Sequence, residues 1–225
     1  MAEEGEEIPY KITYEDGTES ASSRDFNGKG TAQYPNGDIY EGFYAQGLRA
    51  GHGIYKYANG DSYEGAWANN DKHGIGKMKY NAGGEYHGYF ENGKKHGEGV
   101  FTYPNKDIYS GWWRYGKKDG QGTYIFSATQ MKFVGTWKEG EMNEGKWIYP
   151  NGNYFEGKFE QNKPTGAGVW YFKNGNQVNG EYVQKQITTE DEEEAEDAKP
   201  KVEVIWNSDS NLYSSALEVN SLLSQ

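Results

Sequence analysis

The 225-residue chain carries a net charge of −11, has no cysteine, and draws nearly half of its hydrophobic residues from 20 Tyr, 9 Phe and 7 Trp. Four acids among the first seven residues and seven between Glu190 and Asp197 match that net charge, so the middle of the chain is close to neutral. These features exclude disulfides and thiolate zinc sites and leave no broad basic surface for nucleic acid. They predict an intracellular protein without a signal peptide, and no apolar run is long enough to make a membrane anchor.

Residues 1–27 are predicted to form an acidic N-terminal tail and a degenerate first strand. From residue 28 to residue 182 the chain repeats with a period of 23 residues. A Gly-x-Gly motif marks six of the seven repeats, and Asn143 replaces the first glycine of the motif in the sixth. A fixed period of this kind predicts a stack of small structural units. The second glycine of each motif is predicted to be structural, because a bare backbone lets another group approach closely. These glycines are Gly30, Gly53, Gly76, Gly99, Gly122, Gly145 and Gly168.

Each repeat has the pattern of a β-hairpin. An aromatic residue such as Tyr34 follows the second glycine by four positions, and an Asn-Gly turn comes next, as at Asn36-Gly37. Beyond the turn, a second segment has the pattern Tyr-Glu-Gly-x-aromatic, as in residues 40–44. The array is therefore predicted to be all-β, an elongated single-layer antiparallel sheet of tandem hairpins.

Two repeats depart from this pattern. Lys106 and Thr129 replace the turn glycine in the fourth and fifth repeats, so both turns are expected to differ from the others. The fifth repeat also carries one extra residue, and the sixth restores the phase.

Strand alternation assigns the faces of the sheet, because residues two apart point to the same side. If the first loop is centred on Gly37, Tyr34 lies opposite Tyr40 and Gly30 lies opposite Tyr44, so that rings cover glycines across the hairpin. The other face is expected to be mostly polar, with Lys29, Thr31, Gln33 and Glu41.

Residues 183–225 are predicted to form an acidic linker and a docking segment. The charge run from Glu190 to Asp197 is expected to be disordered alone. The stretch Val202–Trp206 predicts a short strand, and Leu212–Leu223 predicts a short amphipathic helix that docks on a partner.

The combination of Tyr-Glu-Gly-x-Trp, Gly-x-Gly-x-x-x-Tyr and Pro-Asn-Gly-Asp resembles MORN repeats over about residues 28–182. The surrounding chain, with an acidic N-terminus, the stretch Asn162-Lys163-Pro164-Thr165-Gly166 and a Glu-rich tail, resembles the MORN protein of the ciliary radial spoke head. That resemblance implies a structural subunit in the cytoskeleton of the cilium or flagellum axoneme. Its partners would be other radial spoke head proteins, it would face the central pair apparatus, and it would contribute to motility.

Two sets of residues are candidate partner-binding sites. A single-layer sheet cannot bury its rings under a second layer of its own, so the repeat aromatics are expected to stay partly exposed for docking, unless the rings cover one another. They are Tyr40, Tyr63, Trp67, Tyr86, Tyr109, Trp113 and Trp137. A second set, Arg49, Lys72, Lys95 and Lys118, recurs every 23 residues and predicts a basic row along one edge.

The basic row leaves three interpretations open: an acidic protein partner, a solvated edge, or an anionic lipid surface. A membrane-surface adaptor is therefore the alternative function, and a regulatory fragment of an enzyme is a weaker one. Dimerisation through the end hairpins is also predicted, because terminal strands expose unpaired edges. No catalytic residues, cofactor or metal site are expected. In particular, His73 and His96 occupy the same position one hairpin apart, too far to share a zinc ion unaided.

Overall fold

The computed structural model describes residues 9–187 and 201–209, and within these residues every regular element is a β-strand. The chain divides into two compact units, residues 1–118 and 119–225. The first unit contains β1 (Lys11–Tyr14), β2 (Glu19–Ser20), β3 (Gly28–Gln33), β4 (Ile39–Ala45), β5 (Leu48–Lys56), β6 (Ser62–Ala68), β7 (Asp71–Lys79), β8 (Glu85–Glu91), β9 (Lys94–Thr102) and β10 (Ile108–Arg114). Its strands pair antiparallel in the order β2, β1, β3, and then along the chain to β10.

The second unit is built in the same way. Its strands are β11 (Lys117–Ile125, which begins in the last two residues of the first unit), β12 (Lys132–Lys138), β13 (Glu141–Ile148), β14 (Tyr154–Glu160), β15 (Lys163–Tyr171), β16 (Gln177–Ile187) and β17 (Lys201–Ser208). Each strand pairs antiparallel with the next one in the chain. The predicted all-β fold of tandem antiparallel hairpins is confirmed.

The Asn-Gly loops of the array close over three residues. In the first loop, the Tyr34 carbonyl accepts a hydrogen bond from the Gly37 N–H at 2.9 Å, and the Tyr34 N–H donates to the Asp38 carbonyl at 2.9 Å. Gly37 has a φ of 85°, the left-handed conformation that closes such a loop. Lys106 adopts a φ of 71° and donates the same bond to the Tyr103 carbonyl, so the prediction that the fourth turn differs is wrong.

The fifth loop does differ, as predicted. Four residues separate Phe126 from Met131, whose carbonyl accepts the closing bond from the Phe126 N–H. This loop holds the extra residue of the fifth repeat. The sixth repeat is one residue shorter at the bulge of β13. The register of β13 with β12 shifts there by the single residue Asn143, whereas β5 has two extra residues at the equivalent bulge. Asn143 is also the residue that replaces a motif glycine.

A second, tighter turn joins the end of each repeat to the next, and the sequence did not predict it. Two consecutive residues with positive φ form it, as at Gln46 (50°) and Gly47 (80°). This geometry matches the type I′ turn, whose twist suits the flanking strands. The same pair of conformations recurs at Asn69-Asn70, Asn92-Gly93, Tyr115-Gly116, Glu139-Gly140 and Gln161-Asn162.

The two glycines of each Gly-x-Gly motif have different roles. The first one sits in a β-bulge: between the pairs Gly42–Gly53 and Phe43–Ala50, β5 has two extra residues, and Gly51 among them has a φ of 60°. The second one lies under a ring. The Tyr40 ring covers Gly42 of its own strand and Gly53 of the next strand, and a Cβ on Gly53 would lie 2.5 Å from ring carbon Cε2.

The same seat recurs along the array, which confirms that rings cover bare backbone at these positions. Gly76 lies under Tyr63, Gly99 under Tyr86 and Gly168 under Phe155. The other structural glycines have different neighbours: Gly30 contacts Ile12 and Thr13 of β1, while Gly122 and Gly145 both pair with Gly135.

The predicted pairing across the first hairpin is wrong by two positions. Ala32, not Tyr34, lies opposite Tyr40, and Gly42, not Tyr44, lies opposite Gly30. The reason is that the loop closes through the Tyr34–Asp38 pair and is therefore centred on Asn36 rather than Gly37. A shift of two residues keeps every side chain on its predicted face, because the side-chain period of a strand is two.

Strands β1 and β17 each cover one end of the rings in their unit. On β1, Ile12 is fully buried over Gly30, and on β17 Trp206 packs against Phe155 and Tyr182. The predicted strand Val202–Trp206 is thereby confirmed. The charge run Glu190–Asp197 and the predicted helix Leu212–Leu223 lie outside the described residues, and dimerisation through the end hairpins stays a prediction.

The two glycine roles predict different effects of alanine and asparagine substitutions on stability. Gly99→Ala should lower the free energy of unfolding by about 3 kcal/mol, because the methyl group collides with the Tyr86 ring. Gly74→Ala should cost about 1–2 kcal/mol, since its φ of 62° is strained for alanine while the only contact is the Ala66 Cβ at 3.4 Å. Asparagine tolerates that φ, so Gly74→Asn should recover part of the stability that Gly74→Ala loses. Gly99→Asn should recover none, because its side chain meets the same ring. Denaturant unfolding of the four variants checks this, and a well-tolerated Gly99→Asn would show that the ring seat is assigned incorrectly.

Candidate protein-interaction surface

The predicted docking aromatics are buried, so the expectation that they stay exposed is wrong. Tyr40, Tyr63, Tyr86 and Tyr109 have no exposed surface, and Trp67, Trp113 and Trp137 are at most 5% exposed. The rings cover one another: Tyr40 meets Tyr44 edge-on at 5.2 Å and Trp67 of the next repeat at 5.3 Å between centroids. We call this side of the sheet the ring face. It forms the core of the array rather than a contact surface.

Hydrogen bonds satisfy the hydroxyl groups of the four fully buried repeat tyrosines and the indole N–H of Trp67. The Tyr40 hydroxyl donates to the Phe43 carbonyl at 3.0 Å, and Tyr63, Tyr86 and Tyr109 make the same bond in their repeats. The indole N–H of Trp67 donates to the Gly53 carbonyl at 3.2 Å. Each of these acceptors belongs to a bulge or a motif glycine, so the rings also stabilise the irregular backbone.

The basic row exists, but its side chains lie across the ring face. The Arg49 guanidinium carbon is 4.6 Å from the Trp67 ring centroid, and the Lys95 ammonium is 4.4 Å from that of Trp113. Lys72 and Lys118 lie over Tyr63 and Tyr109 at 5.7 and 5.5 Å. These are cation–π distances, so the row covers the exposed edge of the ring stack.

Burial affects the protonation of this row. Loss of hydration lowers the pKa of Lys72 and of Lys95 below the ordinary lysine value, and the nearby Arg49 charge adds to the effect at Lys72. Within the described part of the chain, Arg49, Lys72 and Lys95 form no ion pair with a carboxylate. Besides the aromatic rings, the Arg49 guanidinium donates to the Asn70 carbonyl at 2.8 Å and the Lys72 ammonium donates to the Tyr57 hydroxyl at 3.3 Å.

The opposite side of the sheet, which we call the open face, carries the exposed apolar residues. Phe43, Tyr89 and Trp112 are each about half exposed (50%, 49% and 48%), and they occupy the same position in three repeats, directly after the glycine of Tyr-x-Gly. Ile75 and Val100 are exposed beside them. The expectation of a mostly polar face is wrong here. Alternation alone assigns these residues to the open face, so the signal was present in the sequence.

The open-face aromatics rest on the bulges of neighbouring strands. Tyr89 lies against Gly97, where an added Cβ would be 3.4 Å from the Tyr89 Cβ, and Phe43 meets Gly51 in the same way. Tyr89 also pairs with Ile75 across β7 and β8, and Trp112 pairs with Glu98 across β9 and β10. Tyr89, Glu98, Trp112, Ile75 and Val100 therefore form one contiguous patch in the first unit.

A family model described as MORN repeat matches residues 23–39, 40–62, 63–85, 86–108, 109–128, 133–154 and 155–177. The chain belongs to the MORN repeat family. The full family unit, such as 40–62, begins at the ring-seat tyrosine and contains the tight turn and the bulge before the next loop.

No curated protein matches the MORN chain. Among solved structures, the TCP domain of SAS-4 (dCPAP) from Drosophila melanogaster, in complex with a proline-rich motif of Ana2, is 20% identical and has a TM-score of 0.45. That match covers 75% of this chain and 87% of the other. The TCP10 domain of CPAP from Danio rerio, in complex with a STIL peptide, is 16% identical with a TM-score of 0.34, covering 69% and 66% of the two chains. Scores this low carry no inference about function.

Within residues 9–187 and 201–209, no group of three or more acidic or histidine side chains is placed to hold a metal ion. The same residues include no helix that could cross a membrane.

Burial of the tyrosines makes the MORN fold sensitive to alkali. Loss of hydration raises the phenol pKa of Tyr40, Tyr63 and Tyr86 far above the ordinary value of 10. Because the folded pKa exceeds the unfolded one, their contribution to stability is complete below pH 10 and falls as the pH rises beyond it. We expect tyrosinate absorbance and loss of sheet circular dichroism to appear together in an alkaline titration. Tyr63→Phe should move the transition to higher pH, whereas ionisation of all tyrosines with the sheet intact would contradict their burial.

Tyr115 breaks the pattern of the tight turns. It has a φ of 49° in a turn position that holds Gln, Asn or Glu in the other repeats, and its side chain is 66% exposed. Left-handed backbone is costly for an aromatic residue and easier for asparagine. Tyr115→Asn should therefore raise the free energy of unfolding by about 1 kcal/mol in denaturant melts. The reciprocal change Asn92→Tyr, at a matched turn with a φ of 48°, should lower it by a similar amount. If both variants were as stable as the wild-type chain, strain at this turn position would be ruled out as the cause.

Proposed function

We propose that this MORN protein is a non-enzymatic scaffold subunit of the radial spoke head, located in the axoneme of motile cilia and flagella. Its partners would be other spoke-head proteins, and its face toward the central pair apparatus would contribute to motility. Support comes from the family membership together with the features flanking and closing the array. These are the acidic N-terminus, the stretch Asn162–Gly166 and the run Glu190–Asp197.

The observation that carries the scaffold function is the exposure of aromatic residues on the open face. The array already buries its ring-face aromatics almost completely, yet Phe43, Tyr89 and Trp112 stay about half exposed. Exposed, contiguous apolar surface marks protein interaction sites, and Tyr and Trp are enriched among the residues that dominate binding energy. Folding does not require an aromatic at this repeat position, since Ala66 and Thr136 occupy it in other repeats.

The test is recovery of the tagged full-length chain with purified axonemes from ciliated cells. The triple variant Phe43→Ser, Tyr89→Ser and Trp112→Ser should fall at least about tenfold in axonemal recovery, because each residue is a candidate hot spot worth about 2 kcal/mol or more. Mass spectrometry of the wild-type complex should identify spoke-head proteins.

The matched control is a triple variant with Thr136→Ser, Lys158→Ser and Glu181→Ser, which changes the same repeat position in the second unit. It should retain wild-type recovery. Absence of the wild-type chain from axonemes would contradict the spoke-head location. Flotation of the chain with phosphoinositide vesicles at physiological salt, lost when Arg49, Lys72, Lys95 and Lys118 are changed to Gln, would support the membrane-adaptor alternative instead.

A further inference from the structure

One position of the repeat differs between the strands of the first unit in a way that folding does not explain. The residue between the two motif glycines points to the open face, and it is His52 in β5, Ile75 in β7 and Glu98 in β9. On each side of it, the neighbouring strands place the residue that follows the glycine of Tyr-x-Gly. The three sites therefore have the same backbone frame and differ in their side chains.

Only Glu98 among these three lies between two aromatic residues. Tyr89 rests on Gly97, the residue before Glu98, and Trp112 is the direct cross-strand partner of Glu98. His52 has Ala66 as its cross-strand partner, and Ile75 has Ala66 resting on the preceding Gly74. Tyr89 and Trp112 stand on strands two apart, roughly 10 Å at the backbone, so a flat group can enter above Glu98 with a ring on either side.

The charge of Glu98 has no counter-ion in the described part of the chain. Within the residues that the structure describes, Glu98 forms no ion pair, and its side chain is exposed. Two basic side chains of the neighbouring strands already have carboxylate partners. Lys77 pairs with Glu85 at 2.7 Å, and the His96 Nδ1 lies 3.3 Å from a Glu91 carboxylate oxygen.

Building on the proposed docking function of the open face, we infer that Tyr89, Glu98 and Trp112 form a receptor for an arginine side chain of a protein partner. A guanidinium stacks flat on aromatic rings and donates two parallel hydrogen bonds to a carboxylate, which the compact ammonium of lysine cannot do. Ile75, opposite Tyr89, and Val100, two residues beyond Glu98, supply apolar surface for the side-chain stem and for apolar residues next to the arginine.

The probe is a pair of fluorescent, acetylated peptides of sequence Gly-Ser-Val-Xaa-Val-Ser-Gly, in which Xaa is arginine or its neutral isostere citrulline. Fluorescence anisotropy with the full-length chain should show at least tenfold tighter binding of the arginine peptide. Glu98→Gln should remove this preference, and Trp112→Ala should weaken binding of the arginine peptide at least severalfold. Glu41→Gln is the matched control, since Glu41 is an open-face carboxylate outside the patch that lies 3.9 Å from the Lys29 ammonium, and it should leave the preference unchanged.

In the peptide assay, the arginine receptor would be overturned by equal affinity for the two peptides, by a preference that survives Glu98→Gln, or by no binding of either peptide. Circular dichroism melts of the variants show whether each one is folded, and all three substituted side chains are exposed.

The axonemal recovery experiment separates the two proposals. If Glu98→Gln is recovered with axonemes as well as wild type while the Phe43, Tyr89 and Trp112 serine variant is lost, the docking function stands and the arginine receptor falls. If wild type is absent from axonemes but prefers the arginine peptide through Glu98, the receptor stands and the spoke-head location falls.

Discussion

The seating of one aromatic ring over two glycines on adjacent strands is the interaction on which the rest of the structure depends. The Tyr40 ring covers Gly42 and Gly53, and its hydroxyl bonds to the Phe43 carbonyl at the bulge. Because the two glycines belong to successive hairpins, the ring joins neighbouring hairpins as well as packing within one. Edge-on contacts at just over 5 Å then link each ring to the next, and such pairs contribute about 0.5–1.5 kcal/mol beyond their buried area. Stability is therefore shared between nearest neighbours, as expected of a repeat array.

This packing determines which side of the sheet can bind a partner. On the ring face the aromatic side chains bury one another, and Arg49 and Lys95 lie over the Trp67 and Trp113 rings. Only the open face is left to vary. There the residue after the Tyr-x-Gly glycine is Phe43, Ala66 or Trp112 in different repeats, and the backbone frame is unchanged. One open-face position in each repeat can thus vary, and with it the partner that is recognised, while the backbone stays the same.

Local features of the sequence predicted most of the fold. The 23-residue period, the alternation of faces and the Asn-Gly loops all follow from residues close together in the chain, and each is confirmed. The pairing register was missed because it depends on which loop carbonyl closes the turn, here that of Asp38. The fourth turn was missed because Lys106 accepts a left-handed φ that composition alone argues against.

The candidate site was harder to predict than the fold. Whether Tyr63 or Trp67 is exposed depends on how rings from successive repeats fit together, and spacing along one chain does not contain that information. The exposed residues Phe43 and Trp112 were within reach, since alternation assigns them to the open face. The repeated ring pattern instead predicted docking on the ring face, which is buried.

The magnitude of the cation–π contacts bears on what the basic row can do. An anionic membrane attracts each nearby lysine or arginine by about 1 kcal/mol. A cation over an aromatic ring gains about 0.5–1 kcal/mol when exposed and about 2 kcal/mol when desolvated. Lys95 lies between those limits, being half-buried with a pKa lowered by that burial. If the Lys95 ammonium left the Trp113 ring for an external anion, it would lose about as much interaction free energy as it gained, and the Trp113 ring would be uncovered. The row therefore serves the ring stack better than it serves a partner, which leaves the open face as the surface that can bind without cost to the fold.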